Sequence, residues 1–437
     1  MSRSAVSPSG AFRGGPIIPV LYFIVPLLTA MAPRLTPFLL LLLALVLIVA
    51  GFRRGLPWRA LIKPNAAMAA LIAIALYAAL SAAWAVDPRA ALATGALFAG
   101  ATVATFAAAT AIPSLDPGQV RRASLAFVAG VCCATLFVTI ELVTDGALTR
   151  GVMNAVSILQ PHDTKRVRIE DGRVTDMRLA ELNLNVSIVA FMLWPGLLAV
   201  SALVRDPRRR LLRGLYLIAL TVPIFLSEHD SSQIGVIASA LILPLAWVNA
   251  RAVIRGLALA WCLGFVLVLP LAFLAYKAAL HRADWLPTSA QARIIIWEYT
   301  AERVLERPLL GIGADSTPAA RAKSAMPAEK PKGFVLARTT GHHAHNLFLQ
   351  SWYELGLLGA ILAAVAGAAT ALRILLLPEP AQPFGAAAFT LFAVMAAFAW
   401  GMWQVWLVAA VGLLALYLLM TAAPYPRQHF PDTEDEP

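Results

Sequence analysis

The stretch Thr36–Phe52, TPFLLLLLALVLIVAGF, decides the fold class of this chain, because its 17 residues carry no charge. A helix that crosses the hydrocarbon core of a bilayer needs about 17–25 predominantly apolar residues. Comparable runs recur along the 437 residues, which are 60% hydrophobic and only 14% charged, with a mean hydropathy of +0.74. This composition excludes an ordinary soluble globular protein and predicts an integral membrane protein.

The apolar runs predict an all-α polytopic membrane protein with about twelve transmembrane helices. The division of the chain follows from them: helices one to nine in 1–275, with an exported loop near 145–182; a large exported loop at 276–345; helices ten to twelve in 346–421; and a tail at 422–437. The predicted spans are 17–33, 36–52, 66–85, 91–112, 122–143, 184–204, 211–227, 233–249, 252–275, 346–372, 384–402 and 404–421.

The short loops between these spans give the chain an orientation. If both termini are cytoplasmic, alternation places most of the basic short loops on the cytoplasmic side, as the positive-inside bias requires. The two long loops then face the opposite side. The basic residues of the short loops include Arg53, Arg54, Arg121, Arg122, Arg208, Arg251, Arg255 and Arg373.

The exported loops are basic too, although orientation does not require it. Residues 276–345 contain ten Lys or Arg against six Asp or Glu. A basic surface in this place predicts an anionic ligand, such as a phosphate-bearing lipid or polysaccharide. The alternative is a solvated surface beside anionic lipid headgroups.

Within the large loop, residues 290–307 predict one helix that ends before Pro308. Arg293 and Trp297 share one face of it, whereas its three glutamates lie on the opposite face. A guanidinium that its own helix does not neutralise can bind a phosphate in bidentate fashion. Stacking of Arg293 on Trp297 is the alternative. Residues 308–313, PLLGIG, predict a turn, because the Lys-Ser/Thr of a nucleotide-binding loop does not follow.

The run Gly341–Gly359, GHHAHNLFLQSWYELGLLG, joins the large loop to the next apolar segment. His345 is a group that titrates near neutral pH at the membrane surface. His343 and His345 suggest zinc or copper, but no carboxylate or thiol lies close in sequence to complete a site, so we expect no metal ion. Helix capping by Asn346 is an alternative reason for the His-Asn pair.

This run, with ARIIIW at 292–297 and PLLGIG at 308–313, resembles the signature of the O-antigen ligase family of bacterial polysaccharide enzymes, a His-Asn pair ahead of a Gly-x-x-Gly helix. The resemblance implies a GT-C-like fold in the bacterial inner membrane with a periplasmic active site. It implies an inverting transferase, without metal ion or other cofactor, that moves a glycan from undecaprenyl diphosphate to lipid A-core. We expect membrane lipids around the chain and no nucleic-acid partner.

Carried over to this chain, the resemblance implies that His345 is the family's essential histidine and Arg293 its loop arginine. Arg178 matches an arginine that precedes the span after the first exported loop, with Arg173 as the second choice. One departure is the sequence SEHDSSQ at 227–233, where the family often has a Ser-Arg pair. The remaining predicted substrate contacts are His343, Asn346 and Arg338.

The implied reaction makes two demands on the protein. The departing diphosphate needs positive charge, which Arg293 and Arg178 supply. The acceptor hydroxyl needs a base, which a neutral His345 supplies. An alternative role for His345 is to orient the donor phosphate by donating a hydrogen bond.

Other functions stay open from the sequence. A polymerase of O-antigen or exopolysaccharide and a protein O-oligosaccharyltransferase share much of the same pattern. A lipid-glycan transporter is the alternative of another class, since about twelve spans is common among transporters. Transporters tend to have internal repeats and polar groups at the membrane midplane; we find no clear repeat, and Glu141 and Glu354 are the exceptional ionisable groups within spans.

Overall fold

The computed structural model describes residues 15–61, 63–156, 167–203, 209–323 and 338–425. Within these ranges the chain is mostly helical, which confirms the predicted all-α polytopic membrane fold. Both predicted cytoplasmic ends lie largely outside them, as do parts of the exported loops at 157–166 and 324–337. The helices are α1 (Ile17–Met31), α2 (Thr36–Phe52), α3 (Trp58–Leu61), α4 (Ala66–Leu80), α5 (Pro88–Ala111), α6 (Pro117–Val143), α7 (Ala147–Ala155), α8 (Asn183–Leu203), α9 (Arg209–Leu226), α10 (Asp230–Lys277), α11 (Thr288–Glu306), α12 (Thr317–Lys323), α13 (Leu347–Leu372), α14 (Gln382–Phe398) and α15 (Val405–Ala422).

Nine helices of the described ranges are long and apolar enough to cross a membrane: α2, α4, α5, α6, α8, α10, α13, α14 and α15. α10 has 48 residues, enough for two crossings, and leaves helical geometry at Asn249. There Asn249 Oδ1 accepts a hydrogen bond from Ala252 N at 2.9 Å and caps the second half. Its halves are the spans predicted at 233–249 and 252–275. The predicted count of twelve is not confirmed, because α1 is shorter and α9 begins with a basic turn.

A β-hairpin in the first long loop was not predicted. β1 (Val167–Glu170) pairs antiparallel with β2 (Arg173–Met177). Asp171 and Gly172 between them have φ values of 50° and 73°, as a two-residue hairpin turn requires. The Asp-Gly pair was the signal available in the sequence.

Two of the described transmembrane helices begin at an aspartate followed by proline. Asp87 Oδ1 accepts a hydrogen bond from Ala90 N at 3.0 Å at the start of α5, and Asp116 Oδ1 accepts one from Gln119 N at 2.7 Å at the start of α6. The carboxylate satisfies an amide that has no partner in the first turn, and proline suits the first helical position because it lacks that amide. These caps place the helix boundaries.

The core consists of two clusters of buried apolar residues. One joins α1, α2, α6, α8 and α15, and the other joins α4, α10, α13 and α14. α8 lies at the centre, since its residues from Asn185 to Ser201 are all buried. A helix that is apolar on every side is suited to this position.

α13 breaks at Gly356, where φ is 65° and ψ is −163°. A break frees main-chain groups inside a helix, and buried groups of this kind need partners. Residues 308–317, here called the docked segment, provide them: Leu357 N, for example, donates to Pro308 O at 2.8 Å. The predicted turn is therefore part of a longer segment that joins the large loop to α13.

The carboxylate of Glu354 attaches the docked segment a second time. It is fully buried and accepts hydrogen bonds from Asp315 N at 2.8 Å, from Thr317 Oγ1 and from Trp403 Nε1. Its main-chain oxygen accepts another from Gly313 N at 2.8 Å. Buried carboxylates persist only when they are hydrogen-bonded in this way. Glu354, one of the exceptional groups within the spans, thus has a structural role.

Gly356→Ala is expected to lower the free energy of unfolding by about 3 kcal/mol. The added Cβ would lie 2.3 Å from Leu309 O, and the positive φ disfavours any L side chain. Thermal unfolding of the purified protein measures the change. Gly256→Ala is the control, because its Cβ would meet open space on α10 and its melting temperature should stay the same or rise slightly. Equal melting temperatures for Gly356→Ala and the unmodified protein would contradict the docking.

Candidate functional site

Three separate parts of the chain meet at the end of the bundle where α13 begins. Trp297 Nε1 on α11 donates a hydrogen bond to Ala344 O at 2.9 Å. His345 Nδ1 lies 2.7 Å from Ala399 O in the loop between α14 and α15. We call this meeting of α11, residues 343–346 and residues 399–404 the His345 site.

His345 is held in one tautomer. A carbonyl oxygen only accepts hydrogen bonds, so the contact with Ala399 O places the hydrogen on Nδ1 and the lone pair on Nε2. The residue has a φ of 53°, in the left-handed region that histidine occupies more readily than most side chains. Backbone strain of this kind clusters at functional sites. His345 therefore presents the nitrogen that a general base needs.

The pKa of His345 lies below its ordinary value of 6.5. Burial lowers this pKa most, the hydrogen bond to Ala399 O opposes that effect, and the positive charge of Arg293 lowers the pKa further. The imidazole is therefore neutral at pH 7.

His343 packs against His345 as a second neutral ring. The two ring centroids are 4.0 Å apart, and His343 Nδ1 accepts a hydrogen bond from His345 N at 3.2 Å. Burial and the neighbouring charges lower the pKa of His343 to about 3. Gly401 makes room for this ring, because a Cβ there would lie 2.9 Å from His343 Cγ. Among the described residues, no three His, Cys, Asp or Glu side chains are placed to share a metal ion.

Arg293 lies on α11, one helical turn before Trp297, and is half-buried. Within the part of the chain that the structure describes, its guanidinium makes no hydrogen bond or ion pair. Burial lowers its pKa and the charge of Asp230 opposes this, but arginine stays protonated at neutral pH. Its charge reaches both His343 and His345. The structure thus places this guanidinium within electrostatic reach of a neutral imidazole, and the catalytic roles of Arg293 and His345 stay predictions.

His229, just before α10, is a residue of this region that the sequence analysis missed. His229 is 3% exposed. Its Nδ1 lies 2.6 Å from Ser232 Oγ, and its ring packs against the Trp400 ring, with the two centroids 5.3 Å apart. Burial lowers its pKa to about 3, and the charge of Arg293 adds to this. The departure at 227–233 was the available signal, because a histidine and an aspartate occupy it where an arginine was expected.

Arg338 has a different environment from the one predicted. Its guanidinium lies 2.8 Å from a carboxylate oxygen of Glu298 and 2.8 Å from one of Glu302, both on α11. It also lies over the rings of Tyr276 and Tyr299, at 5.9 and 5.5 Å. Its charge is therefore neutralised, and this geometry gives no support to a substrate contact. Arg338 instead holds the end of the large loop on α11.

Asn346 caps α13, since its Oδ1 accepts a hydrogen bond from Leu349 N at 3.0 Å. The capping alternative raised from the sequence therefore accounts for the oxygen of this side chain. Contact between Asn346 and a substrate stays a prediction.

Arg173 and Arg178 are not brought to the His345 site by any contact among the described residues. Arg173 begins β2, Arg178 follows that strand, and both side chains are exposed. The helix that comes next, α8, does border the site, because Ser187 Oγ accepts a hydrogen bond from Trp400 Nε1 at 3.2 Å. The role of the two arginines stays a prediction.

Comparison with known families finds a match over part of the chain. Residues 215–364 match the family model described as O-antigen ligase. The match runs from within α9 to a point in α13 beyond Gly356, and it includes His229, Arg293, the docked segment and His345. A search of the curated proteins found no match. The matched family is one of membrane glycosyltransferases of the ligase and polymerase type. The match over residues 215–364 supports the resemblance to the O-antigen ligase family that the sequence indicated.

Proposed function

We propose that this protein is an O-antigen ligase, which transfers a glycan from undecaprenyl diphosphate to lipid A-core. One observation carries the proposal. His345 has its Nε2 lone pair available within electrostatic reach of Arg293, whose guanidinium makes no hydrogen bond or ion pair with a described residue. The pair supplies a base and a cation, and transfer from a lipid diphosphate needs both.

The base step follows from the tautomer of His345. The acceptor hydroxyl oxygen attacks the anomeric carbon of the glycan while His345 Nε2 takes the hydroxyl proton. The bond between that carbon and the diphosphate oxygen breaks, and its electron pair leaves with the diphosphate. Attack opposite the leaving group inverts the anomeric carbon. The hydrogen bond to Ala399 O keeps the ring oriented and stabilises the imidazolium that forms.

The cation step falls on Arg293. As the diphosphate departs, negative charge accumulates on its oxygens, and a half-buried guanidinium stabilises that charge more strongly than one in bulk water. His229, neutral at the place where the family often has an arginine, does not add positive charge. A second cation is therefore assigned to Arg178, from the segment ahead of α8.

The proposed location is the bacterial inner membrane, with both termini cytoplasmic and the His345 site periplasmic. The basic short loops support this orientation, because the positive-inside bias places them in the cytoplasm. Donor and acceptor are then both periplasmic lipids, which matches a site at the end of the bundle rather than at its middle.

Reconstitution with defined substrates tests the function. The purified protein is given a preassembled lipid-linked polymer, with and without lipid A-core. Product on lipid A-core together with released undecaprenyl diphosphate supports the ligase. Lengthened carrier-linked chains would identify a polymerase, and glycosylated protein an oligosaccharyltransferase; both would replace the ligase proposal. The absence of any released undecaprenyl diphosphate would contradict glycosyl transfer and favour transport.

The pH dependence of transfer is a separate prediction. Since the base is the neutral form of His345 and its pKa is lowered, we expect a constant rate between about pH 7 and 8. The rate should fall as acid protonates the ring, with a midpoint below the ordinary 6.5. Initial rates over this range measure it. If His345 instead acted as a protonated donor to phosphate, the rate would rise with acid.

A further inference from the structure

A long cavity runs through the bundle between α4, α5, α13 and α15. Its volume is about 1640 Å³. Leu347 and Met402 line it at the end near the His345 site, and Arg373 and Tyr425 line it at the other end. Leu347 begins α13 and Arg373 directly follows it, so this inner cavity extends along the whole of that membrane-spanning helix.

The wall of the inner cavity is mostly apolar, and three of the four threonines that line it satisfy their hydroxyl donors within their own helices. The hydroxyls of Thr105, Thr110 and Thr370 donate to carbonyls of their own helices at 2.8, 2.9 and 2.8 Å. Each of them therefore has its donor satisfied within its helix. Phe106 and Phe389 are among the large side chains that line the rest. Water needs two to four polar partners, and apolar cavities stay dry, so hydrocarbon is the suitable filling.

The end away from the His345 site carries two arginines, Arg121 on α6 and Arg373 after α13. Both side chains are exposed, and neither has a hydrogen bond or an ion pair with a residue in the described ranges. Arg54 near the start of α6, by contrast, is paired with Asp116 at 2.8 Å. An anion at this end would meet two cations without displacing a carboxylate.

We propose that the inner cavity binds one anionic phospholipid, with its acyl chains along α5, α13 and α15 and its phosphate between Arg121 and Arg373. The wall offers the chains hydrocarbon surroundings much like those of the bilayer, so the chains alone give little preference. The headgroup instead determines which lipid binds, because basic side chains near a membrane surface attract anionic lipids. We expect a preference of about tenfold over a zwitterionic lipid. This lipid is distinct from the donor, whose diphosphate is proposed at the opposite end.

Native mass spectrometry of the full chain tests the headgroup. The detergent-purified protein is incubated with equal amounts of phosphatidylglycerol and phosphatidylethanolamine. The bound phosphatidylglycerol should exceed phosphatidylethanolamine by about tenfold. The double variant Arg121→Gln and Arg373→Gln should lose this preference. Arg255→Gln, an exposed arginine on α10, should keep it.

A second variant tests the cavity itself. Ala109 on α5 lines the cavity, so Ala109→Trp should obstruct the path of the acyl chains and weaken binding of both lipids. Ala96→Trp, at an exposed position of the same helix, is the control and should bind as the unmodified protein does. Equal binding of the two lipids, a preference that survives the double arginine change, or full binding by Ala109→Trp would each overturn the proposal. So would displacement of phosphatidylglycerol by an equal amount of undecaprenyl phosphate, which would assign the cavity to a polyprenyl chain.

Discussion

His345→Asn is expected to reduce glycan transfer by about 10²- to 10⁴-fold while the protein stays folded in the membrane. Asparagine tolerates the left-handed backbone at this position, where φ is 53°, so the substitution removes the ring without adding strain. The asparagine amide has no group that can take the proton of an acceptor hydroxyl. The release of undecaprenyl diphosphate from the lipid-linked glycan measures the rate.

His342→Asn is the matched control for this variant. His342 belongs to the same loop but is exposed. Its loss should leave transfer close to the rate of the unmodified protein. If His345→Asn transfers glycan at the rate of the unmodified protein, His345 is not the base.

Arg293→Gln is expected to reduce transfer by about 10²- to 10³-fold, because it removes the cation that stabilises the departing diphosphate. The transfer rate of Arg293→Lys should lie between those of Arg293→Gln and the unmodified protein, since lysine keeps the charge but loses bidentate binding. Arg307→Gln, an exposed arginine that follows α11, is the control and should have little effect. Initial rates at saturating donor measure these changes. If Arg293→Gln and Arg307→Gln have equal rates, the assignment of Arg293 is wrong.

The same variant has a second readout in the pH profile. Arg293 lowers the pKa of His345, so removing its charge should raise that pKa towards the ordinary 6.5. The acid limb of the residual activity should move to higher pH in Arg293→Gln. A limb that does not move would mean that the two groups are not coupled.

The helices were the part of the fold that the sequence could predict. Uncharged runs such as Thr36–Phe52 have few alternatives in a bilayer, where every main-chain group must be paired within the segment. The helix predicted at 290–307 appears as α11, which starts two residues earlier at Thr288 and ends before Pro308 as expected. The hairpin was missed because its sequence signal, Asp171 and Gly172, is short and lies inside a basic loop.

The sequence could select candidate site residues where their spacing is distinctive, and it gave less guidance for the others. The charge of Arg293 acts on His345, two residues that were selected together from the family spacing. Arg338 looked like any other basic residue of the loop, and only the fold pairs it with Glu298 and Glu302. His229 is far from His345 in sequence, so its approach depends on the packing of α10 against α14, which helical spacing does not reveal.

The break at Gly356 has a mechanical consequence. α11 runs directly into the docked segment, which is bonded to α13 on both sides of that break, and His345 immediately precedes the same helix. The proposed base and the proposed cation are thus held by one connected unit, made of α11, the docked segment and α13. When the bundle flexes to admit two bulky lipids, the distance between these two groups is expected to be conserved while the walls around them move.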